Sequence, residues 1–232
     1  MIVAIMQPYF FPYIGYFQLI NAVDVFVIYD DVNYIKKGWI NRNRFLVNGQ
    51  AQLFTIPLIE ASQNKHIAEI ELVGDLKWKG KLLKTIAFNY KKAPYFKDIY
   101  LLIESIVLFE EPNLSAYIHN SLIQICRYLD INTVIEPTSA KYQNGHLKAA
   151  DKIMDICLQK KAQMYINPIG GAELYDKQVF MKNNIQLNFI QSEKIEYKQF
   201  NNEFVPWLSI IDLLMFNSKD EVRDLLSKYS LI

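Results

Sequence analysis

Short apolar runs set between helix-patterned segments constrain this chain more than any other feature. Ile2 to Met6 (IVAIM) is such a run, and Asp24 to Tyr29 (DVFVIY) is a second. Between them lie a proline-bounded aromatic loop, Tyr9 to Pro12, then Gly15 and a helical pattern to about Ala22. Apolar runs without alternation mark strands buried on both faces. Strand, loop, helix and strand in such quick succession are the βαβ rhythm of a parallel sheet.

The rhythm returns in the second half. Thr133 to Glu136 reads as a strand, Leu147 to Leu158 as a helix, Gln163 to Ile166 as a strand, Leu174 to Asn183 as a helix and Gln186 to Phe189 as a strand. In between, Phe45 to Val47, Asn48-Gly49 and Gln52 to Leu58 predict a β-hairpin with an Asn-Gly turn. Ile67 to Val73 alternates as a further strand. Residues 77–129 are mainly helical, with helices over Lys77 to Phe88, Tyr95 to Phe109 and Leu114 to Leu129. Residues 204–232 form a helical C-terminal segment, with helices over Pro206 to Met215 and Lys219 to Lys228. The expectation is one α/β domain over 1–232, with a Rossmann-like parallel-sheet core, a β-hairpin insertion and a helical C-terminal part.

Composition narrows the class. The chain has 232 residues, 51% of them hydrophobic, and 25 basic against 24 acidic side chains. Its length lets it bury roughly 70% of the unfolded surface, so its core needs no disulfide or metal. Two cysteines, Cys126 and Cys157, are too few for a disulfide scaffold. The near-neutral balance gives no global attraction to nucleic acid, and the hydrophobicity argues against disorder. No apolar run reaches the ~20 residues of a membrane span. The opening residues lack the basic region and cleavage site of a signal peptide, so a cytoplasmic location is expected.

Ligands of open parallel sheets bind beyond the carboxyl ends of the strands. Three segments are expected there: the loop after the first strand, Asp30-Asp31 after the second, and Asn167 to Gly171 after a later one. Gly15 at a strand-to-helix transition suits close passage of a phosphate near free N–H groups. The sequence is neither GxGxxG nor a Walker motif, so a dinucleotide site or P-loop is not supported. Tyr9, Tyr13 and Tyr16 suit stacking on adenine or a sugar, or simple core and lid packing. Asp30 and Asp31 suit Mg²⁺ binding, ribose orientation or general-base work, with solvated turn carboxylates as the plain alternative. Adjacent strand residues point oppositely, so one of the two is expected to face the cleft.

Lys36, Lys37, Arg42 and Arg44 form a compact basic run around Trp39. In an extended chain Arg42 and Arg44 share a face and form a clamp for phosphate or carboxylate; a solvated basic loop is the other reading. Gly170-Gly171 offers permissive backbone ahead of Tyr175 and Asp176. Asp212 shares a face with Ser209 in an otherwise apolar helix, and a buried carboxylate there must be paired, for structure or for catalysis. His66, His119 and His146 lie in no ligand cluster, so no zinc site is expected. His146, after Asn144-Gly145, is a candidate phosphate donor. No GxSxG elbow is present, so a serine nucleophile is not indicated.

Three blocks together resemble the WbqC-like family: Gln7-Pro8-Tyr9-Phe10-Phe11-Pro12-Tyr13-Ile14-Gly15-Tyr16-Phe17, then Asp24 through Asp30-Asp31, then Lys37-Gly38-Trp39-Ile40-Asn41-Arg42-Asn43-Arg44. Tyr165, Gly170-Gly171, Tyr175-Asp176 and Phe204-x-Pro206-Trp207-Leu208-Ser209-Ile210-Ile211-Asp212-Leu213-Leu214 are similar to its later blocks. The order is kept along nearly the whole chain. The resemblance adds Gln7 and Asn41 to the candidate binding residues. It implies a place in bacterial surface-polysaccharide or O-antigen biosynthesis, and a transferase modifying a nucleotide-linked amino sugar. The version it suggests is aminoacyl (glycyl) transfer through an acyl-adenylate, with ATP and Mg²⁺ and with aminoacyl-tRNA as a compatible donor. The first block is also similar to a degenerate HxGH site of Rossmann-like nucleotidyl-transfer folds. Here Tyr13 and Tyr16 stand at both histidine positions and Gly15 is retained, so an imidazolium is lacking, and no KMSKS-like segment occurs. A nucleotidyl- or glycosyltransferase acting on a sugar phosphate, and a non-catalytic carbohydrate- or nucleotide-binding scaffold, are the alternatives.

Overall fold

Ile2–Met6 (β1) is the middle of the molecule, because it pairs in parallel on both sides. Val25–Ile28 (β2) lies on one flank, with Val3 opposite Val25, and Met164–Pro168 (named β8 below) lies on the other. A computed structural model describes residues 1–201 and 203–232 of the chain. In chain order the helix Ile14–Asn21 (α1) joins β1 to β2. An insertion follows: Arg42–Val47 (β3), Gln50–Thr55 (β4), Leu58–Ile59 (β5), Glu71–Leu72 (β6) and the helices Leu76–Tyr90 (α2), Phe96–Leu108 (α3) and Leu114–Tyr128 (α4). The sheet resumes with Val134–Glu136 (β7), Ala149–Gln159 (α5), Met164–Pro168 (β8), Lys177–Lys182 (α6) and Gln186–Ser192 (β9). Ile210–Phe216 (α7), Lys219–Leu225 (α8) and Tyr229–Leu231 (β10) end it.

The strand order is β10-β9-β8-β1-β2-β7. The first five strands to form the sheet are parallel, and β10 runs antiparallel along β9. Alternation along the central strands sends Val3, Ile5, Val25 and Val27 to one face, where they meet Ile153, Ile156 and Cys157 of α5 and Phe180 of α6. Ala4, Phe26 and Ile28 enter a larger core on the other face with α1, α3, α4 and the β3–β4 hairpin. That two-sided burial is why β1 and β2 carry no polar residue. The Rossmann-like α/β expectation holds.

The Asn-Gly hairpin holds, and several other local expectations are corrected. The hairpin turn is Asn48-Gly49, both with positive φ, as a two-residue turn of matching twist requires. Its first strand starts at Arg42, earlier than the apolar pattern suggested, because β3 pairs through Arg42 opposite Thr55. Ile67 to Val73 is not a strand: His66 and Glu69 form a capping box around the turn Ile67–Glu69, and only Glu71–Leu72 pairs. The helix expected from Pro206 starts after Ser209, whose hydroxyl accepts from the Ile211 N–H. The helix expected from Leu174 is a 3₁₀ turn over Ile169–Leu174 followed by α6, capped by Asp176. Strand β10 has no counterpart in the sequence reading, since three residues are too few to show periodicity.

Candidate functional site at the carboxyl edge of the sheet

Successive parallel strands are added outward from β1 in two directions, β2 and β7 one way, β8 and β9 the other. The direction reverses between β1 and β8, the topological position at which open α/β sheets bind ligands. The loop after β1 is the aromatic one. Phe11 in it adopts φ 44°, a left-handed conformation that costs a bulky side chain about 1–3 kcal/mol. The surroundings hold it there. The Phe11 carbonyl accepts from Asn43 Nδ2 at 2.8 Å and from Ser209 Oγ at 2.7 Å. The Phe10 N–H donates to the Ile40 carbonyl, the Ile210 N–H to that of Pro12, and the Ser209 N–H to that of Arg44. Three segments far apart in sequence therefore meet: the aromatic loop, the basic run leading into β3, and the start of α7.

The side chains presented at this junction are aromatic and cationic. Trp207, itself at φ 60°, is 66% exposed and lies 5.2 Å from the ring of Tyr13. Trp39 is 40% exposed, and the guanidinium groups of Arg42 and Arg44 lie 5.8 and 5.2 Å from its ring centroid. Arg42 also donates through Nε to the Gly38 carbonyl at 2.7 Å and through the other arm to Lys37. Arg44 is exposed on the same face, as their two-residue spacing dictates. Lys36 and Lys37 are exposed beside them.

Other expected residues have local duties. Tyr16 is buried and its hydroxyl donates to the Gln7 carbonyl at 2.8 Å, with Tyr9 against its ring. Burial raises the hydroxyl pKa of Tyr9, Tyr13 and Tyr16. Asn41 is buried between Tyr34 OH and the Ile56 carbonyl. At Gly15 a Cβ would fall 2.7 Å from Ser192 Oγ, so glycine here lets α1 sit tightly on β9. At Gly171 it would fall 2.3 Å from Asn167 Oδ1, whereas Gly170 faces open space. Asn167 in turn donates to Tyr165, and Tyr175 packs edge-on against that ring.

The two strand-end carboxylates turn to opposite faces. Asp30 is buried and accepts from Ser115 Oγ of α4 at 2.7 Å, Thr138 Oγ1 at 2.8 Å and the Ser139 N–H at 3.1 Å. Asp31 pairs with Lys152 of α5 at 2.7 Å and accepts from Ser139 Oγ. Lys152 Nζ lies 5.6 Å from the Tyr29 ring centroid. Burial, then the proximity of Asp31 and Tyr175, raise the Tyr29 hydroxyl pKa. Asp212 is fully buried and accepts from Tyr90 OH at 2.6 Å, Tyr197 OH at 2.7 Å and Gln199 Nε2 at 2.7 Å. His146 is exposed ahead of α5. Among the described residues no three His, Cys, Asp or Glu side chains gather as a metal site.

Ser115, Thr138, Ser139 and Lys152 escaped the sequence reading. Lys152 did leave a signal: it falls on the buried stripe with Ile153, Ile156 and Cys157, where a lysine needs an anion. The hydroxyls left none, since their partner is a hundred residues away in the chain.

A family model described as the WbqC-like protein family matches residues 7–224, almost the entire segment from the aromatic loop through α8. The chain belongs to the WbqC-like family. The uncharacterized protein Rv1507c of Mycobacterium tuberculosis is 34% identical over 227 residues, covering 97% of this chain and 96% of its own length. No solved structure matches. The WbqC-like blocks of this chain converge on the junction just described: Gln7 to Phe17, Lys37 to Arg44, and Phe204 to Leu214. No helix is long and apolar enough to cross a membrane, among the described residues.

Proposed function

We propose that this WbqC-like protein is a transferase that modifies a nucleotide-linked amino sugar for surface-polysaccharide biosynthesis. The observation that carries the reading is the backbone junction of the aromatic loop, β3 and the start of α7, with Tyr13 against Trp207 and the Arg42 and Arg44 guanidiniums over Trp39. Exposed aromatic rings suit a base or a sugar face, and paired guanidiniums suit a diphosphate. Preorganised positive charge also stabilises phosphate oxygens as a leaving group gathers charge. In the aminoacyl version an amino-acid carboxylate attacks the α-phosphorus of ATP, pyrophosphate leaves, and the sugar amine then displaces AMP from the acyl carbon. Aminoacyl-tRNA would replace the first step as donor.

The fit to Mg²⁺ is poor at the residues first expected to hold it. Both oxygens of Asp30 accept hydrogen bonds within the chain, and Asp31 is paired with Lys152. The same satisfied carboxylates favour a second reading, a non-catalytic nucleotide-sugar-binding scaffold, because both aspartates are engaged by partners within the chain.

A pyrophosphate-release assay with purified protein separates the readings. Release that needs ATP, an amino acid and an amino sugar together supports acyl transfer. Release with sugar phosphate and a nucleotide alone overturns it in favour of nucleotidyl transfer. Binding of a nucleotide sugar by calorimetry, weakened roughly tenfold in Trp207→Ala with no turnover under any condition, leaves the scaffold.

A further inference from the structure

Helix α2 carries a feature independent of that site. Residues 76–94 hold six lysines and no aspartate or glutamate. Lys79 is buried, its Nζ donating to the Phe109 carbonyl at 2.7 Å. The others, Lys77, Lys81, Lys84 and Lys91, recur at helical spacing on one exposed stripe with Phe88, and Lys92 flanks its end. Phe88 is 70% exposed, unusual for a phenylalanine on a helix whose apolar face is already buried by Leu82, Leu83 and Ile86.

The stripe forms one wall of a groove. Cavities of about 490 and 350 Å³ lie between it and the opposite wall, and an open face of α2 lined by Lys77, Lys81, Lys84 and Phe88 joins them. The opposite wall is the β3–β4 hairpin, which contributes Asn48 and Gly49 at its tip and Gln52 and Thr55 along its length. No acidic residue lines the groove among the described residues. Lys81, Lys84, Lys91 and Lys92 make no ion pair among the described residues. Lysines kept together without counter-charges repel one another, and the chain's near-neutral total conceals that local field.

We infer that the groove between α2 and the β3–β4 hairpin binds single-stranded nucleic acid. The lysine stripe follows a phosphate backbone, with about 21 Å from Lys77 to Lys91 at ~1.5 Å per residue. Phe88 offers a stacking face toward the C-terminal end of the stripe, where Lys91 Nζ lies 5.5 Å from its ring centroid, and Asn48 and Gln52 offer paired donors and acceptors to base edges. A flat anionic membrane would reach Lys77, Lys81 and Lys84 on the open face but not Asn48 and Gln52 in the cavities beside the hairpin. An acidic protein would use the lysines but leave the exposed ring and the amides unused. This inference does not rest on the proposed transferase activity.

Fluorescence anisotropy with labelled 12-nucleotide single-stranded RNA and DNA tests it on the full chain. The expected result is binding that weakens with salt and exceeds binding of a duplex of the same length. Lys81→Ala/Lys84→Ala should lower the slope of log K against log salt by about 1.4, two phosphate contacts at ~0.7 each. Phe88→Ala should weaken binding about tenfold without changing that slope. All three positions are exposed or flank the groove, so circular dichroism should match the parent chain. No binding, binding that neither variant alters, inorganic polyphosphate competing as well as RNA with Phe88→Ala silent, or tighter binding to phosphatidylglycerol vesicles would each overturn the proposal.

Discussion

Asp212 shows what a single residue decides. Its burial raises the carboxyl pKa, while hydrogen bonds from Tyr197, Tyr90 and Gln199 pull it down, and burial prevails. The same tyrosine, Tyr90, accepts the Leu46 N–H of β3 at 2.7 Å, so one carboxylate ties α7 to α2 and the hairpin. Asp212→Ala would leave two tyrosine hydroxyls and an amide buried without their acceptor. We expect a loss of about 3 kcal/mol, read as a lower midpoint in urea, and a smaller loss in Asp212→Asn. An equal effect of the two variants would refute this expectation, because asparagine keeps the volume and one acceptor oxygen that alanine lacks. The need of a buried carboxylate for partners was legible in the apolar context of Asp212. The identity of those partners was not, because Tyr90 lies 122 positions away. Gly15 makes the same point from the other side: its place at a helix start was readable, but not its packing against Ser192.

At the scale of elements, β7 and α5 are joined by charge as well as by apolar packing. Glu136, at the end of β7, is raised by burial but lowered more by hydrogen bonds from Lys160, Tyr142 and Lys141, and its net pKa is below the ordinary value. A folded-state pKa depressed below the unfolded one contributes stability that is present above the unfolded value, about 4.3. That contribution is lost as pH falls through the folded value. Glu136→Gln should therefore destabilise the chain at pH 7 and do so progressively less below pH ~4. Thermal unfolding of both chains across pH 3–7 checks it, and parallel curves would refute the linkage. Element type was legible wherever a run exceeded two turns, as in α2, α3 and α4. Element ends were not: Ser209 begins α7 because its hydroxyl serves both the Ile211 N–H and the Phe11 carbonyl, and the second of these is a tertiary contact.

The whole molecule closes its sheet with the last strand. Gln18 in α1 donates to the Leu225 and Lys228 carbonyls at 2.8 and 3.0 Å, and β10 covers the outer edge of β9. Removing residues 226–232 would free the outer-edge backbone groups of Phe189 to Ser192 in β9. An uncovered edge pairs with other chains. Light scattering should show concentration-dependent self-association of the truncated chain and none beyond that of the parent in the full-length control. A monodisperse truncated monomer would show that β10 is dispensable as an edge guard.

The sequence by itself determined the α/β class, the central strands and the aromatic and basic segments. Those properties are local, set by runs, periods and turn residues within a few positions. Only the tertiary structure decided which segments meet: Phe11 with Asn43 and Ser209, Asp31 with Lys152, Asp30 with Ser115. It also showed the lysines of α2 as one wall of a groove, because a wall needs the hairpin opposite it. Each of these depends on chain crossings that no local pattern records.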